Sequence, residues 1–307
     1  MTLAGFHDER KARAEEVAKE LAVRSYPGVA ALLDDVDAVT VAVPTPAHHR
    51  VASEALRRGK HVLIEKPLAT SLAEADDLLA LARANGALIQ TGHVERFNRA
   101  IRAAMPYVET ARFIQSDRLA PFNPRGSDVA VVLDLMIHDL DLVRTLVGSQ
   151  VADVAAVGIP VLTPFIDIAN ARLTFASGAV ANITASRVSR DRMRKIRIFQ
   201  KSGYLSLDLA AGNGEFYRMR GDLDLAALAK APLELEAFVE RVPLEAPEGE
   251  PLRLEFESFA SALRGDAPVM VSGEDGREAL AVALRIVREI ESGASALSGG
   301  IPARPRG

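Results

Sequence analysis

The chain has 307 residues, 49 % hydrophobic and 25 % charged, with 37 basic and 41 acidic side chains for a net charge of −4. That length supports two domains with cores of their own, and the acidic balance excludes the concentrated positive field that a nucleic-acid partner requires. The absence of cysteine excludes disulfides, thiolate metal sites and cysteine nucleophiles. With no apolar run of the roughly 18 residues a membrane span needs and no signal-peptide pattern at the start, a cytoplasmic protein without a membrane partner is expected.

In chain order, Leu3–Phe6 reads as a strand, Glu9–Leu21 as a helix, Val23–Tyr26 as a short strand and Val29–Leu33 as a helix entered through Pro27 and Gly28. Ala38–Val43 is a continuous β-branched run, the pattern of a strand covered on both faces. A helix follows over Pro46–Arg58, then a strand over His61–Ile64. Ser71, with Glu74 three residues on, opens a helix that runs to Ala84, and Ala87–Gln90 is a further strand. This alternation predicts an α/β unit over residues 1–92, a Rossmann-type doubly wound parallel sheet that binds a dinucleotide.

The opening strand reads as the second of such a half. The first strand and its Gly-rich turn, which carries the pyrophosphate, do not stand before it. Two expectations follow. In one, the natural polypeptide carries about thirty more residues, the size of a βα unit with its turn. In the other, the chain is a shortened variant whose Rossmann domain is truncated and lacks cofactor binding.

From His93 the rhythm changes, and residues 93–292 read as a second, α+β domain. A short helix is expected over Asn98–Ala104, a strand over Val108–Ser116 and a long apolar helix over Val129–Val147. Alternating strands then follow over Val151–Ile159, Ile166–Phe175, Ala179–Val188, Arg194–Gln200 and Gly203–Asp208. Ser177-Gly178 and Ser202-Gly203 stand at hairpin turns. The result is an open, mostly antiparallel sheet with helices on one face; a mostly apolar outer face would hold a homodimer or homotetramer. Two helices, Leu252–Arg264 and Gly273–Glu291, close the domain, and residues 293–307 read as a flexible tail.

Several residues are placed for chemistry. Asp8 at the end of the first strand can accept hydrogen bonds from adenosine ribose hydroxyls and repel a 2′-phosphate, favouring NAD over NADP; it can equally cap the following helix. Arg10 nearby leaves NADP open. Pro44 and Thr45 follow a strand at its C-terminal end, where open α/β sheets bind ligands, and His48 in the next turn either faces the cleft or the solvent. Glu65 and Lys66 precede Pro67 at the end of the next strand. A lysine there can donate to a reacting hydroxyl and stabilise the developing alkoxide, or belong to a surface ion pair.

Asp134 and His138 stand four apart among Val131, Val132, Leu133, Leu135, Met136 and Ile137, so they share a helix face that is otherwise apolar. Histidine can take a hydroxyl proton near neutral pH, and the aspartate can hold a substrate hydroxyl. The alternative is a satisfied core histidine. His138, Asp139 and Asp141 do not place three metal ligands cleanly on one face, so no metal is expected. His93, Arg96 and Phe97 stand at the domain seam, and Arg96 or Arg118 can meet a substrate phosphate or carboxylate; Glu95 and Arg96 can instead pair with each other. The basic run Arg187, Arg190, Arg192, Arg194, Lys195 and Arg197 reads as a solvated or oligomer-rim face, or as an anion site.

Taken together, Pro44-Thr45-Pro46, Glu65-Lys66-Pro67, the stretch from Thr91 to Asn98 (TGHVERFN) and the stretch from Asp134 to Asp141 (DLMIHDLD) resemble the glucose-fructose oxidoreductase/inositol dehydrogenase family, Gfo/Idh/MocA. The resemblance spans Leu3 to about Glu291, and the missing Gly-rich turn is its one departure. It implies a Rossmann domain, an α/β domain whose open sheet often forms an oligomer interface, and NAD or NADP as hydride carrier for a sugar or cyclitol carbon. By the same resemblance Lys66 positions the reacting hydroxyl, His138 is the general base or acid and Asp134 binds substrate. GHVERFN further resembles members acting on nucleotide sugars such as UDP-N-acetylglucosamine. The contrasting expectation is a non-catalytic sugar-binding or scaffold protein that has lost its cofactor.

Overall fold

The computed structural model describes residues 2–124, 126–220 and 239–298, with 294–298 as backbone only. They group into two compact units, Met1–His93 with Leu252–Leu280, and Val94–Pro251 with Ala281 onward.

In the first unit, α1 (Lys11–Leu21) and α2 (Val29–Asp34) precede β1 (Ala38–Val41), α3 (His48–Arg57), β2 (His61–Glu65), α4 (Leu72–Ala84) and β3 (Ile89–Gly92). The three strands pair in parallel in that order, Val39 opposite Val62 and Ile64 opposite Thr91. Val62, Leu63 and Ile64 are buried with Ala52, Ala55 and Leu56 of α3 and Leu78 of α4, as expected of a strand with both faces covered. Ser71 caps α4 by accepting the Glu74 N–H at 3.2 Å. The Glu74 carboxylate accepts from the Thr70 N–H at 2.9 Å, so the box closes one residue earlier than the usual pattern.

Leu3–Phe6 and Val23–Tyr26 are not strands of this sheet. Only Phe6 and Ser25 form a parallel bridge, with the Phe6 N–H donating to Arg24 O at 3.0 Å and the Tyr26 N–H to Phe6 O at 2.8 Å. The opening segment finds its partners in residues 24–26, and among the described residues no strand pairs with the outer edge of β1, so there is no ladder for it to extend.

Residues 252–280 complete this unit, although the sequence pattern groups them with the second domain. Here lie most of α7 (Pro251–Leu263) and the start of α8 (Gly273–Ser298). The Thr91 N–H donates to Val271 O at 2.9 Å, Gln90 bridges Ser272, and the absence of a side chain at Gly276 lets α8 close on Thr91. These pairings join residues far apart in sequence, which local pattern does not reveal. α8 runs through Ser298, so residues 293–298 are helical where a tail is expected; residues 299–307 lie outside the described residues.

The second unit opens with α5 (Arg99–Ala104), capped by Asn98, whose Oδ1 accepts the Ala100 N–H at 3.0 Å. β4 (Phe113–Leu119) follows, then a π-helical turn (Val132–Met136) that leads into α6 (Ile137–Val147). The remaining strands are β5 (Val151–Ile159), β6 (Ile168–Phe175), β7 (Val180–Ser186), β8 (Met193–Gln200), β9 (Gly203–Asp208), β10 (Asn213–Met219) and β11 (Val239–Leu244). Their order is β11-β10-β9-β8-β4-β7-β6-β5. The β4–β7 pair is parallel and the other pairs are antiparallel. α5 packs against β9 and β10 and α6 against β4 and β7, over buried Ile114, Ile183, Ile196, Ile198 and Leu205.

The opposite face is mixed rather than mostly apolar. Phe113, Phe199, Tyr204 and Tyr217 are successive cross-strand partners with ring centroids 5.6, 5.4 and 4.8 Å apart, the first pair tilted and the other two stacked. The two-residue period of each strand then puts Gln115, Arg197, Ser206 and Glu215 beside them on that face.

Candidate active site

In the first unit the parallel strands bring two predicted turns to one edge. β1 and β2 end there, and the chain leaves them through Pro44–Thr45 and through Glu65–Lys66–Pro67, where the Lys66–Pro67 peptide is cis. His48 sits behind both turns. It is buried, its Nδ1 lies 2.9 Å from Pro67 O and its Nε2 2.9 Å from Val43 O. Both ring nitrogens thus engage backbone of the two turns. The structure gives His48 the work of tying them together, neither a cleft-facing nor a solvent-facing role. Its neighbour His49 contacts Asp77 at 2.8 Å. Thr45, Glu65 and Lys66 keep partly exposed side chains, and Glu65 lies close over Gly92 at the end of β3.

Asp8 does not cap α1, which begins at Lys11 with no side-chain cap. Its Oδ1 accepts the Arg10 N–H at 2.8 Å, and the Arg10 guanidinium lies 3.4 Å away. These bonds to Arg10 hold the Asp8 carboxyl below the usual carboxylate range. Asp8, Thr45 and Lys66 offer a carboxylate, a hydroxyl and an ammonium with partial exposure, the kinds of group that hydrogen-bond a nicotinamide dinucleotide.

In the second unit, Asp134 lies in the π-helical turn and His138 in the first turn of α6, both half-buried. The turn that the sequence predicts as ordinary α-helix is π-helical, a local form frequent at functional sites. The neighbouring carboxylates are occupied. Asp139 accepts from Arg118 Nε at 2.6 Å and from Ser116 Oγ at 3.0 Å, and Arg118 Nη1 donates to Glu95 at 2.9 Å. Asp141 accepts from Arg96 Nε at 2.8 Å and Nη2 at 2.6 Å. Burial works against the charge on Arg118, but Asp139 and Glu95 outweigh it and raise its pKa.

This arrangement revises the substrate-anion expectation. Arg96 and Arg118 are buried, and their guanidinium groups face carboxylates of their own unit. Arg96 pairs with Asp141 rather than with Glu95, because Glu95 turns to Arg118 and to Asn98. His93 and Phe97 are buried as well. Within this unit Asp134 and His138 keep partial exposure. Arg187, assigned by pattern to a solvated or anion-binding run, is buried, while Arg190 and Arg192 are exposed. One signal was available for it: Asp167 interrupts the apolar run Phe165–Ile168, and a buried carboxylate needs a cation.

Comparison with known proteins agrees with the fold. Residues 1–93 match the model of the oxidoreductase family with an NAD-binding Rossmann fold, and residues 99–206 match the GFO/IDH/MocA C-terminal domain. UDP-N-acetylglucosamine 3-dehydrogenase of Acidithiobacillus ferrooxidans is 39 % identical over 295 residues, covering 94 % of this chain and 90 % of the relative. A solved structure of that enzyme superimposes with a TM-score of 0.86 at 38 % identity, with the same coverage of both chains. Myo-inositol 2-dehydrogenase of Thermotoga maritima is 26 % identical, covering 94 % of this chain and 89 % of its own length.

Proposed function

This chain belongs to the Gfo/Idh/MocA oxidoreductase family, whose members it resembles over both units, and we propose that it oxidises a ring carbinol of a nucleotide sugar of the UDP-N-acetylglucosamine kind with NAD. One observation carries the site assignment. On a single stretch of helix Asp139 and Asp141 are buried in ion pairs, whereas Asp134 and His138 keep partial exposure, which supports them as the hydroxyl-binding and acid–base groups of that stretch.

In this reading Lys66 donates a hydrogen bond to the reacting hydroxyl and stabilises the oxygen as negative charge develops. His138 takes the hydroxyl proton, and returns it when a ketone is reduced. Asp134 accepts a hydrogen bond from a neighbouring sugar hydroxyl and fixes which carbon reacts. A bound nicotinamide supplies the hydride acceptor. His48 keeps the Lys66–Pro67 turn in register with the Pro44–Thr45 turn.

Asp8 supports NAD over NADP in this reading. Its carboxylate is held ionised, and Arg10, the cation that would welcome a 2′-phosphate, is already bonded to it. The expected partners are the sugar nucleotide and further copies of the chain, in a homodimer or homotetramer formed through the open sheet face with its aromatic ladder. Isothermal calorimetry tests the substrate class: UDP-N-acetylglucosamine is expected to bind the NADH complex, and myo-inositol is expected to give no heat. Equal binding of both, or of inositol alone, overturns the nucleotide-sugar reading.

A further inference from the structure

Arg187 follows β7 and is buried, and its guanidinium is committed in three directions. Nη1 donates to Gly126 O at 2.6 Å, Nη2 donates to Val129 O at 2.6 Å, and Nε lies 3.7 Å from Asp167 Oδ1. A planar fork of this kind fixes two carbonyls at once, which a lysine ammonium does not reproduce. The fork therefore sets the conformation of the 126–129 turn.

That turn is the floor beneath Asp134. Gly126 has φ +79, and a Cβ placed on it would stand 2.8 Å from Asp134 Oδ2 and 3.1 Å from Oδ1, so the carboxylate lies directly on the glycine backbone. Two residues past Val129, the Val131 N–H donates to Ile166 O at 2.8 Å, and the Asp134 N–H donates to Ala130 O at 3.2 Å. The other end of the chain of contacts is equally fixed. Asp167 is buried and accepts the N–H groups of Val161, Leu162 and Thr163 at 2.7–2.8 Å, and its carbonyl accepts the Arg187 N–H at 3.0 Å.

From this geometry we infer that Arg187 is a positioning residue for substrate: through Gly126 it sets where the Asp134 carboxylate stands, and hence how tightly the sugar is held. The inference rests on Asp134 being a sugar ligand, as proposed above. It makes Gly126 a second determinant, since any side chain there displaces the carboxylate.

Two variants separate this role from plain stability. R187K keeps the charge beside Asp167 but loses the fork; G126A keeps the arginine side chain, crowds Asp134 directly and strains the backbone at φ +79. Calorimetry with UDP-N-acetylglucosamine on the NADH complex is expected to show each binding about tenfold or more weakly, the scale on which misplacing a positioned group is felt. NADH affinity should stay at the parent value. In a D134N background, itself weaker than the parent, R187K should produce no further loss. Unchanged sugar affinity in both R187K and G126A, or an equal further loss in the D134N background, overturns the inference while leaving Asp134 as a ligand. A D134N variant that binds the sugar like the parent removes the reading on which the inference rests, and the inference with it.

Discussion

Arg118 grips Asp139 with two nitrogens, Nε at 2.6 Å from Oδ2 and Nη2 at 3.2 Å from Oδ1, one residue after His138. Both side chains are buried, and Glu95 lies on the other side of the same guanidinium at 2.9 Å. The start of α6 is therefore tied to β4 by charge as well as by apolar contact. His138 inherits its position from that tie.

Removing one partner of a buried pair leaves the other charge uncompensated. Arg118→Met is expected to lower the unfolding free energy by about 3–5 kcal/mol, because the buried Asp139 loses its counter-charge and Glu95 is left with Arg194 at 3.5 Å. Urea unfolding followed by circular dichroism checks this. A loss below about 1 kcal/mol, the size of an exposed pair, would show that the network bears little of the fold's stability.

Asp167 gives the pH dependence. Burial opposes its ionisation, but the N–H groups of Thr163 and Val161 and the Thr163 hydroxyl hold its pKa down to about 2. A depressed folded-state pKa stabilises the fold above the unfolded-state value near 3.9 and loses that contribution as pH falls towards 2. Asp167→Asn should thus remove stability on the order of 2 kcal/mol at neutral pH and flatten the fall in stability below pH 4. Parallel stability–pH curves for parent and variant below that point would refute the assignment.

Cofactor choice is read at Asp8. Asp8→Ser deletes the carboxylate proposed to accept ribose hydroxyls and repel a 2′-phosphate, and it releases Arg10. The ratio of kcat/KM for NADP to that for NAD is expected to rise by about tenfold or more, the equivalent of one charge-assisted hydrogen bond. Steady-state kinetics with both cofactors decides it; an unchanged ratio would place Asp8 away from the ribose.

How much of this was legible beforehand depended on range. The boundaries of β5 and β9 agree with the predicted Val151–Ile159 and Gly203–Asp208, because two-residue alternation is a local signal and Gly203 marks the turn between β8 and β9. The Lys66 turn and the Asp134/His138 stretch were equally visible, being short motifs of polar residues in apolar surroundings. β10 and β11 were not: Asn213–Met219 and Val239–Leu244 carry charges along much of their length and find their places through pairing. Nor did the sequence reveal that Arg96, Arg118 and Arg187 would be buried. Each is satisfied by a residue 20 or more positions away, Asp141, Asp139 and Asp167 respectively, and an arginine looks the same in a string whether it meets solvent, ligand or carboxylate.

Lys66 is the predicted electrophilic group. Lys66→Met should lower kcat by about a hundredfold or more with little change in KM, as expected when a donor aimed at developing charge is lost. Comparing single-turnover rates of parent and variant at saturating sugar measures this. A variant whose defect is confined to KM would make Lys66 a binding group instead.

The most direct measurement is the appearance of NADH when the chain is mixed with NAD and UDP-N-acetylglucosamine, run beside His138→Ala. The expected result is sugar-dependent NADH formation by the parent and a rate about 10²–10⁴ lower in the variant, the contribution of a positioned general base. NADH formation of equal rate in both, or a folded parent that binds neither NAD nor the sugar, would contradict the account.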